Sequence, residues 1–165
     1  MSRFKPDIVA DSVLKIDPET FLHRGILWLA IDVDNTLALP NSPILTDEIS
    51  AWLQRVKQLG LPVILVSNNS AERVEPFAKL CGLPFISRAM KPLGMGLFRA
   101  AKKIGLPLKK GALIGDQIFT DVYAAKKRGM LAVLVHPMME EESRFFSIKR
   151  RLERFVRARQ DKRGA

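Results

Sequence analysis

The chain has a single cysteine, Cys81, and only two histidines, His23 and His136. One cysteine excludes an internal disulfide framework and fits a reducing compartment. None of the three residues has a matching partner at useful spacing, so none is assigned chemistry. No apolar run approaches the ~20 residues of a membrane span. Residues 1–7, MSRFKPD, lack the apolar core and small-residue cleavage site of a signal peptide. Internal repeats and low-complexity tracts are absent too. These absences point to one domain over residues 1–165, cytoplasmic, and soluble or peripheral on the inner face of a membrane. A chain of this length buries roughly 70% of its unfolded surface, and 47% apolar content fits a packed core.

Acidic residues are scarce: 17 Asp and Glu face 27 Lys and Arg, a formal charge of +10. The imbalance is local. Residues 144–165 hold Arg144, Lys149, Arg150, Arg151, Arg154, Arg157, Arg159, Lys162 and Arg163 against only Glu153 and Asp161, so +7 of the charge lies there. Phe145, Ile148, Leu152, Phe155 and Val156 recur at helical spacing among them. The expected element is a basic amphipathic helix over about 140–163. Two roles stay open. Lys149, Arg150, Arg151, Arg154 and Arg157 can bind an anionic membrane or other anionic partner, or the apolar side packs on the domain and the charges are merely solvated.

Upstream of this tail, strand and helix signals alternate over a core of about 26–136. Apolar strands are expected at 26–33, 61–66, 83–86, 111–114 and 130–135. Thr46 caps a helix that carries Asp47 and Glu48 in its first turn and stops at Gly60. A second helix runs from Ser70 to Cys81 and stops at Gly82. A third begins at Pro92, as proline can at a first turn, and ends near Gly105. A fourth spans 119–128 before Gly129. Such alternation, with continuous apolar strands, predicts an α/β three-layer sandwich around a five-stranded parallel sheet. The extension 1–25, with Ile8, Val9, Val13, Leu14, Ile16, Phe21 and Leu22, can cover a sheet edge or form part of a lipid-facing surface.

Polar residues punctuate the strand ends in order. Asp32 and Asp34 follow the first strand. Ser67, Asn68 and Asn69 follow the second, Arg88 and Lys91 the third, Asp116 and Asp121 the fourth. In a parallel sheet these ends share one rim, where open α/β sheets bind ligands. Two carboxylates as close as Asp32 and Asp34 repel unless a cation or proton intervenes. A cation beside a poised acid is what phosphoryl transfer requires; the plainer alternative is a strand end whose Asp residues cap the next turn.

The pieces Asp32-Val33-Asp34-Asn35-Thr36-Leu37, Ser67-Asn68-Asn69, Lys91-Pro92 and Gly115-Asp116-Gln117-Ile118-Phe119-Thr120-Asp121 together resemble the haloacid dehalogenase superfamily of phosphatases. The Asp-Asn-Thr form of the first piece and the form of the last resemble subclass IIIA. More narrowly, the chain is similar to the YqeG-type branch, itself similar to mitochondrial-type phosphatidylglycerophosphate phosphatases. The resemblance implies a Rossmannoid fold and Mg²⁺-dependent hydrolysis of a phosphate monoester.

Residue chemistry agrees. Asp32 is the candidate nucleophile, since a carboxylate can accept a phosphoryl group and pass it to water. Asp34 is the candidate acid/base. Ser67 would donate to a phosphoryl oxygen, and Lys91 would neutralise negative charge on the phosphoryl group and Asp32. Asp32, Asp116 and the backbone carbonyl of Asp34 would hold the ion; hard oxygen ligands favour Mg²⁺. Thr36, Asn68, Gln117 and Asp121 are candidate supports. Asp121 would orient Lys91 or a metal-bound water, or simply favour a helix dipole. Asn35 and Thr36 can fix the loop, Ser67 and Asn69 can cap a helix, and Lys91 can be a solvated loop lysine. Arg88 is a phosphate or headgroup contact or an ordinary surface arginine.

The spacing also excludes a cap domain. Residues 37–66 are used by one loop, one helix and one strand, and 68–90 by one helix and one strand. An open crevice suits phosphate carried on something large. Three functions follow: a Mg²⁺-dependent phosphatidylglycerophosphate phosphatase of phospholipid synthesis; the same chemistry on a soluble sugar phosphate, nucleotide, phosphoprotein or nucleic-acid end; or a non-catalytic RNA- or membrane-binding module. Asp32, Asp34, Ser67, Lys91 and Asp116 together weigh against the last, because a pure binder needs no such set.

Overall fold

The structure, a computed structural model, describes residues 3–40, 42 and 44–139. The expected helix at 140–163, with Lys149, Arg150, Arg151, Arg154 and Arg157, lies outside the described residues.

In chain order the strands are β1 (Ile8–Ala10), β2 (Trp28–Ile31), β3 (Val63–Val66), β4 (Phe85–Ile86), β5 (Gly111–Gly115) and β6 (Leu131–Val135). The helices are α1 (Glu19–His23), α2 (Asp47–Gln58), α3 (Ala71–Cys81), α4 (Met95–Ile104) and α5 (Tyr123–Arg128). All pairings are parallel, and the sheet order is β1-β6-β5-β2-β3-β4. The chain winds outward from β2 through β3 to β4, then restarts on the other side with β5. The β2/β5 boundary is therefore the point where the winding reverses, the place where open α/β sheets bind ligands.

Both faces of the sheet are covered, which explains the unbroken apolar strands. Leu29 and Ile31 face one core with Trp52, Val74 and Phe77. Trp28 and Ala30 face the other with Leu97, Ala100 and Val122. Thr46 caps α2 as expected, its hydroxyl accepting from Ile49 N at 3.3 Å. Leucine, valine and tryptophan on one side of α2 then meet the sheet, and Gly82 ends α3 in the left-handed conformation at φ 63°.

The sheet has six strands, not the five expected. The sixth is β1, which pairs with β6 from Ile8↔Val133 to Ala10↔Val135. Asp7 anchors it: one carboxylate oxygen accepts from Ala132 N and the other meets Lys126 Nζ at 2.7 Å. The N-terminal extension thus takes the sheet-edge role. Two helix boundaries also differ. Pro92 does not open a helix; the Lys91–Pro92 peptide is cis, and α4 starts at Met95 after Gly94 at φ 76°. The stretch expected as one helix from Phe119 begins instead as a wide turn, Ile118–Val122, with i→i+5 geometry before α5. Wide turns of this kind recur where a side chain must be re-aimed, and Asp121 lies in this one.

Candidate active site

Strands β2, β3, β4 and β5 each deliver one part of the site at the carboxyl end. Asp32 follows the fully buried β2, and its N–H donates to Ile114 O on β5 at 2.9 Å, fixing it across the reversal point. Beyond it the chain curls tightly. The N–H groups of Leu37 and Ala38 both donate to Val33 O, and Asn35 N donates to Ala38 O at 2.7 Å. This needs Asn35 at φ 64°, a left-handed conformation that asparagine tolerates better than most residues. Asn35 and Thr36 are buried in the curl. The Asn35 side-chain and backbone oxygens also accept from Met139 N and Met138 N, tying the curl to the β6 exit.

The next two exits are stitched together. Ser67 N donates to Ile86 O at 2.9 Å, and Ser67 Oγ accepts from Asn69 N at 3.1 Å. Asn68 grips the backbone of Lys91 from both sides: its Oδ1 accepts from Lys91 N at 2.8 Å and its Nδ2 donates to Lys91 O at 3.2 Å. Asn69 donates its amide to Asp34 Oδ2. Arg88 and Met90 flank this approach at φ 45° and 54°. Strained φ values in non-glycine residues persist only where surrounding contacts hold them. Here the Asn68 grip and the Arg88 N–H on Asn69 O at 2.8 Å do so.

The grip aims Lys91 inward. Its Nζ lies 2.8 Å from Asp32 Oδ1 and 2.6 Å from Asp121 Oδ1, and all three side chains are at least 90% buried. Burial alone would depress the lysine pKa, but the Asp121 and Asp32 charges outweigh it and hold Lys91 above the ordinary lysine value. Asp121 is raised: burial and the nearby Asp32 favour its neutral form more than Lys91 opposes it. Its other oxygen, Oδ2, accepts from Gln117 N at 3.2 Å, and Gln117 Oε1 accepts from Thr120. Gly115 makes room, since a β-carbon there would run into the Asp121 carboxyl.

Carboxylate oxygens of Asp32, Asp116 and Asp121 all lie within 4.8 Å of one another. Lys91 and Gln117 engage both oxygens of Asp121, whereas Lys91 meets one oxygen of Asp32, so Asp32 and Asp116 are the better placed to hold an ion. An oxygen-only donor set of this kind fits Mg²⁺.

The structure therefore brings Asp32, Lys91, Asp116 and Asp121 into one cluster, with Asp34, Ser67 and Asn69 beside it. Asp121 is paired with Lys91, and Lys91 is buried rather than a solvated loop lysine. Gln117 meets Asp121 through its backbone N–H, and Asn68 meets the backbone of Lys91. Thr36 Oγ1 is buried without a hydrogen-bond partner among the described residues. Arg88 is exposed, and its charge acts on Glu72. His136 is exposed, 3.7 Å from Asp11. The sequence marks Asn69 only as a helix-cap candidate, a second amide directly after Ser67-Asn68; its hold on Asp34 arises where the β2 and β3 exits meet.

A family model described as haloacid dehalogenase-like hydrolase matches residues 7–129. The chain belongs to this family. It is 33% identical over 153 residues to "Probable phosphatase YqeG" of Bacillus subtilis (strain 168), covering 93% of this chain and 89% of that one. It is also 28% identical to the chloroplastic phosphatidylglycerophosphate phosphatase 1 of Chlamydomonas reinhardtii, over 93% of this chain and 61% of that protein. Among solved structures, the 3-deoxy-D-manno-octulosonate 8-phosphate phosphatase of Moraxella catarrhalis, in complex with magnesium and phosphate, superposes with a TM-score of 0.54. The identity is 25%, and the match covers 72% of this chain and 73% of that one. Family, fold and relatives identify this protein as a phosphatase.

Proposed function

We propose that this phosphatase cleaves phosphate monoesters through an aspartyl-phosphate on Asp32, and that its substrate is phosphatidylglycerophosphate. The observation that carries the chemistry is Lys91, held between Asp32 and Asp121 and beside Asp116. Asp32 attacks phosphorus, a P–O bond to Asp32 forms, and the bond to the leaving alcohol breaks. Asp34, oriented by Asn69, gives that oxygen its proton. Asp34 then takes a proton from water, which attacks phosphorus and releases Asp32 and inorganic phosphate. Lys91 offsets negative charge throughout, and Ser67 donates to a phosphoryl oxygen. Mg²⁺ on Asp32, Asp116 and the Asp34 carbonyl would supply Lewis-acid stabilisation of the transferring group.

A lipid substrate is supported by the openness of the rim. Among the described residues, only a loop and α2 separate β2 from β3, and only α3 lies between β3 and β4, so nothing caps the crevice. Around it, the strand-exit loops expose Leu39, Ile44, Met90, Leu93, Ile118 and Phe119, each at least 38% accessible. Exposed apolar side chains on the strand-exit loops suit a surface pressed against a bilayer. Among the described residues no helix is long and apolar enough to cross a membrane. The algal relative named for phosphatidylglycerophosphate points the same way.

The test is a phosphate-release panel with Mg²⁺ and with chelator. It should contain phosphatidylglycerophosphate in anionic vesicles, sugar phosphates, nucleotides and a phosphopeptide. We expect metal-dependent release with the lipid preferred. Faster turnover of any soluble substrate at equal concentration would overturn the lipid assignment, and release that is full in chelator would overturn the metal's role.

A further inference from the structure

A cavity of about 230 Å³ opens at the edge of the site. It is lined by Asp34, Ser67 and Asn69, but Asp32, Lys91 and Asp116 do not line it. That asymmetry has a chemical meaning. In an in-line phosphoryl transfer, attacking and departing oxygens lie on opposite sides of phosphorus. If Asp32 attacks and Asp34 protonates the departing oxygen, space that touches Asp34 but not Asp32 is where the alcohol goes. Its volume lies below the ~300 Å³ at which drug-sized pockets begin. It therefore holds the piece of substrate next to the scissile bond and leaves the rest outside.

The walls say what that piece carries. Val74, Pro76 and Phe77 form an apolar side from α3. Arg73, in the first turn of α3, is the one cationic side chain lining the cavity among the described residues. Glu72 also lines it, as an ionised carboxylate. The Ser70 hydroxyl and the Glu72 N–H, with the Arg88 charge, hold it below the usual carboxylate range. A guanidinium offers paired N–H groups that match two phosphate oxygens, which an ammonium cannot do.

We propose that this cavity is the leaving-alcohol subsite and that Arg73 recognises a phosphodiester carried by that alcohol. The proposal rests on the roles given above to Asp32 and Asp34. It deepens the lipid reading, because phosphatidylglycerophosphate places its monoester and its diester at the two ends of one small glycerol unit.

Two soluble substrates test it: glycerol 3-phosphate, with no second phosphate, and glycerophosphoglycerol phosphate, the deacylated lipid headgroup with its diester intact. The wild type should prefer the headgroup by about tenfold or more in kcat/KM, in the range that one well-placed polar contact gives. Arg73→Gln should remove most of that preference, through KM rather than kcat, and Arg73→Lys should restore part of it. Glycerophosphoglycerol, which has the diester but no scissile monoester, should bind the wild type more tightly than Arg73→Gln. A wild type with no preference would overturn the subsite. So would an Arg73→Gln variant that lowers both substrates equally, which marks a structural role.

The lipid reading fails separately. A wild type that leaves phosphatidylglycerophosphate vesicles intact, yet keeps an Arg73-dependent headgroup preference, overturns the lipid substrate and supports the subsite. Hydrolysis of the lipid with no effect of Arg73→Gln does the reverse.

Discussion

Replacing Lys91 by methionine leaves a side chain of similar length in place and removes only the cation between Asp32 and Asp121. Both carboxylates are more than 90% buried, and each lies within 2.8 Å of the ammonium. Removing one partner of such a buried group strands uncompensated charge, at a cost of about 3–5 kcal/mol. For a domain of this size that corresponds to a Tm roughly 10 °C lower. The loss should depend on pH with a definite sign. In the wild type the raised Lys91 pKa keeps the lysine charged across the neutral range. In Lys91→Met the pull of the lysine on Asp121 is gone, so the already raised Asp121 rises further. Its folded pKa then lies well above the unfolded value of about 3.9. A raised carboxyl keeps its proton in the folded state while the unfolded chain releases it, so stability falls as pH climbs between those two values. The deficit should be small near pH 5 and full near pH 8. The assay is urea unfolding in chelator, followed by fluorescence of the buried Trp28 and Trp52, at both pH values. Lys91→Met/Asp121→Asn should recover part of the loss. A deficit under about 1 kcal/mol at pH 8, the range of a surface pair, would refute the reasoning. An equal deficit at pH 5 and pH 8 would refute it as well.

Asp32→Asn keeps the shape but removes the attacking charge; activity should fall by several orders of magnitude with the fold intact. Retention of more than roughly a tenth of turnover, a change of only ~1.4 kcal/mol, would sink the covalent route. Chelation should abolish phosphate release, and Mg²⁺ should restore it better than Ca²⁺, which tolerates looser geometry; the opposite order would count against the site drawn here. Deleting residues 144–165, or exchanging Leu93 and Phe119 for Asp, should spare hydrolysis of a small soluble ester but cut turnover of lipid in anionic vesicles. Equal effects on both substrates would detach these features from the membrane. Burial raises the Cys81 thiol to about 11, so thiol alkylation at pH 8 should run about tenfold slower than for a free cysteine. That figure takes the lower thiolate fraction and offsets half of it by the greater nucleophilicity of a more basic thiolate; a rate matching free cysteine would contradict the burial.

Much of the molecule is written locally. Apolar runs broken by helical segments dictate a parallel sheet covered on both faces, and parallel strands bring their carboxyl ends to one rim. Asp32, Ser67, Lys91 and Asp116 each sit directly after such a strand or within a few residues of it, so their convergence follows from the alternation itself. What local pattern does not hold is pairing across long separations. Three residues, Ile8–Ala10, show no readable period, and they become a strand only because β6, about 125 residues later, offers an edge. Asn68 is one polar loop residue until the β4 exit arrives to be gripped, and only then does Lys91 turn inward. Asp121 reads as a helix-start acid; a wide turn and the bare backbone of Gly115 make it the partner of Lys91. The sequence determined which residues reach the rim, because strand direction and residue order are local properties. The tertiary structure decided that Lys91 lies between Asp32 and Asp121 and that Asp116 joins them in one cluster, because those placements depend on distances of a few ångströms between segments far apart in the chain.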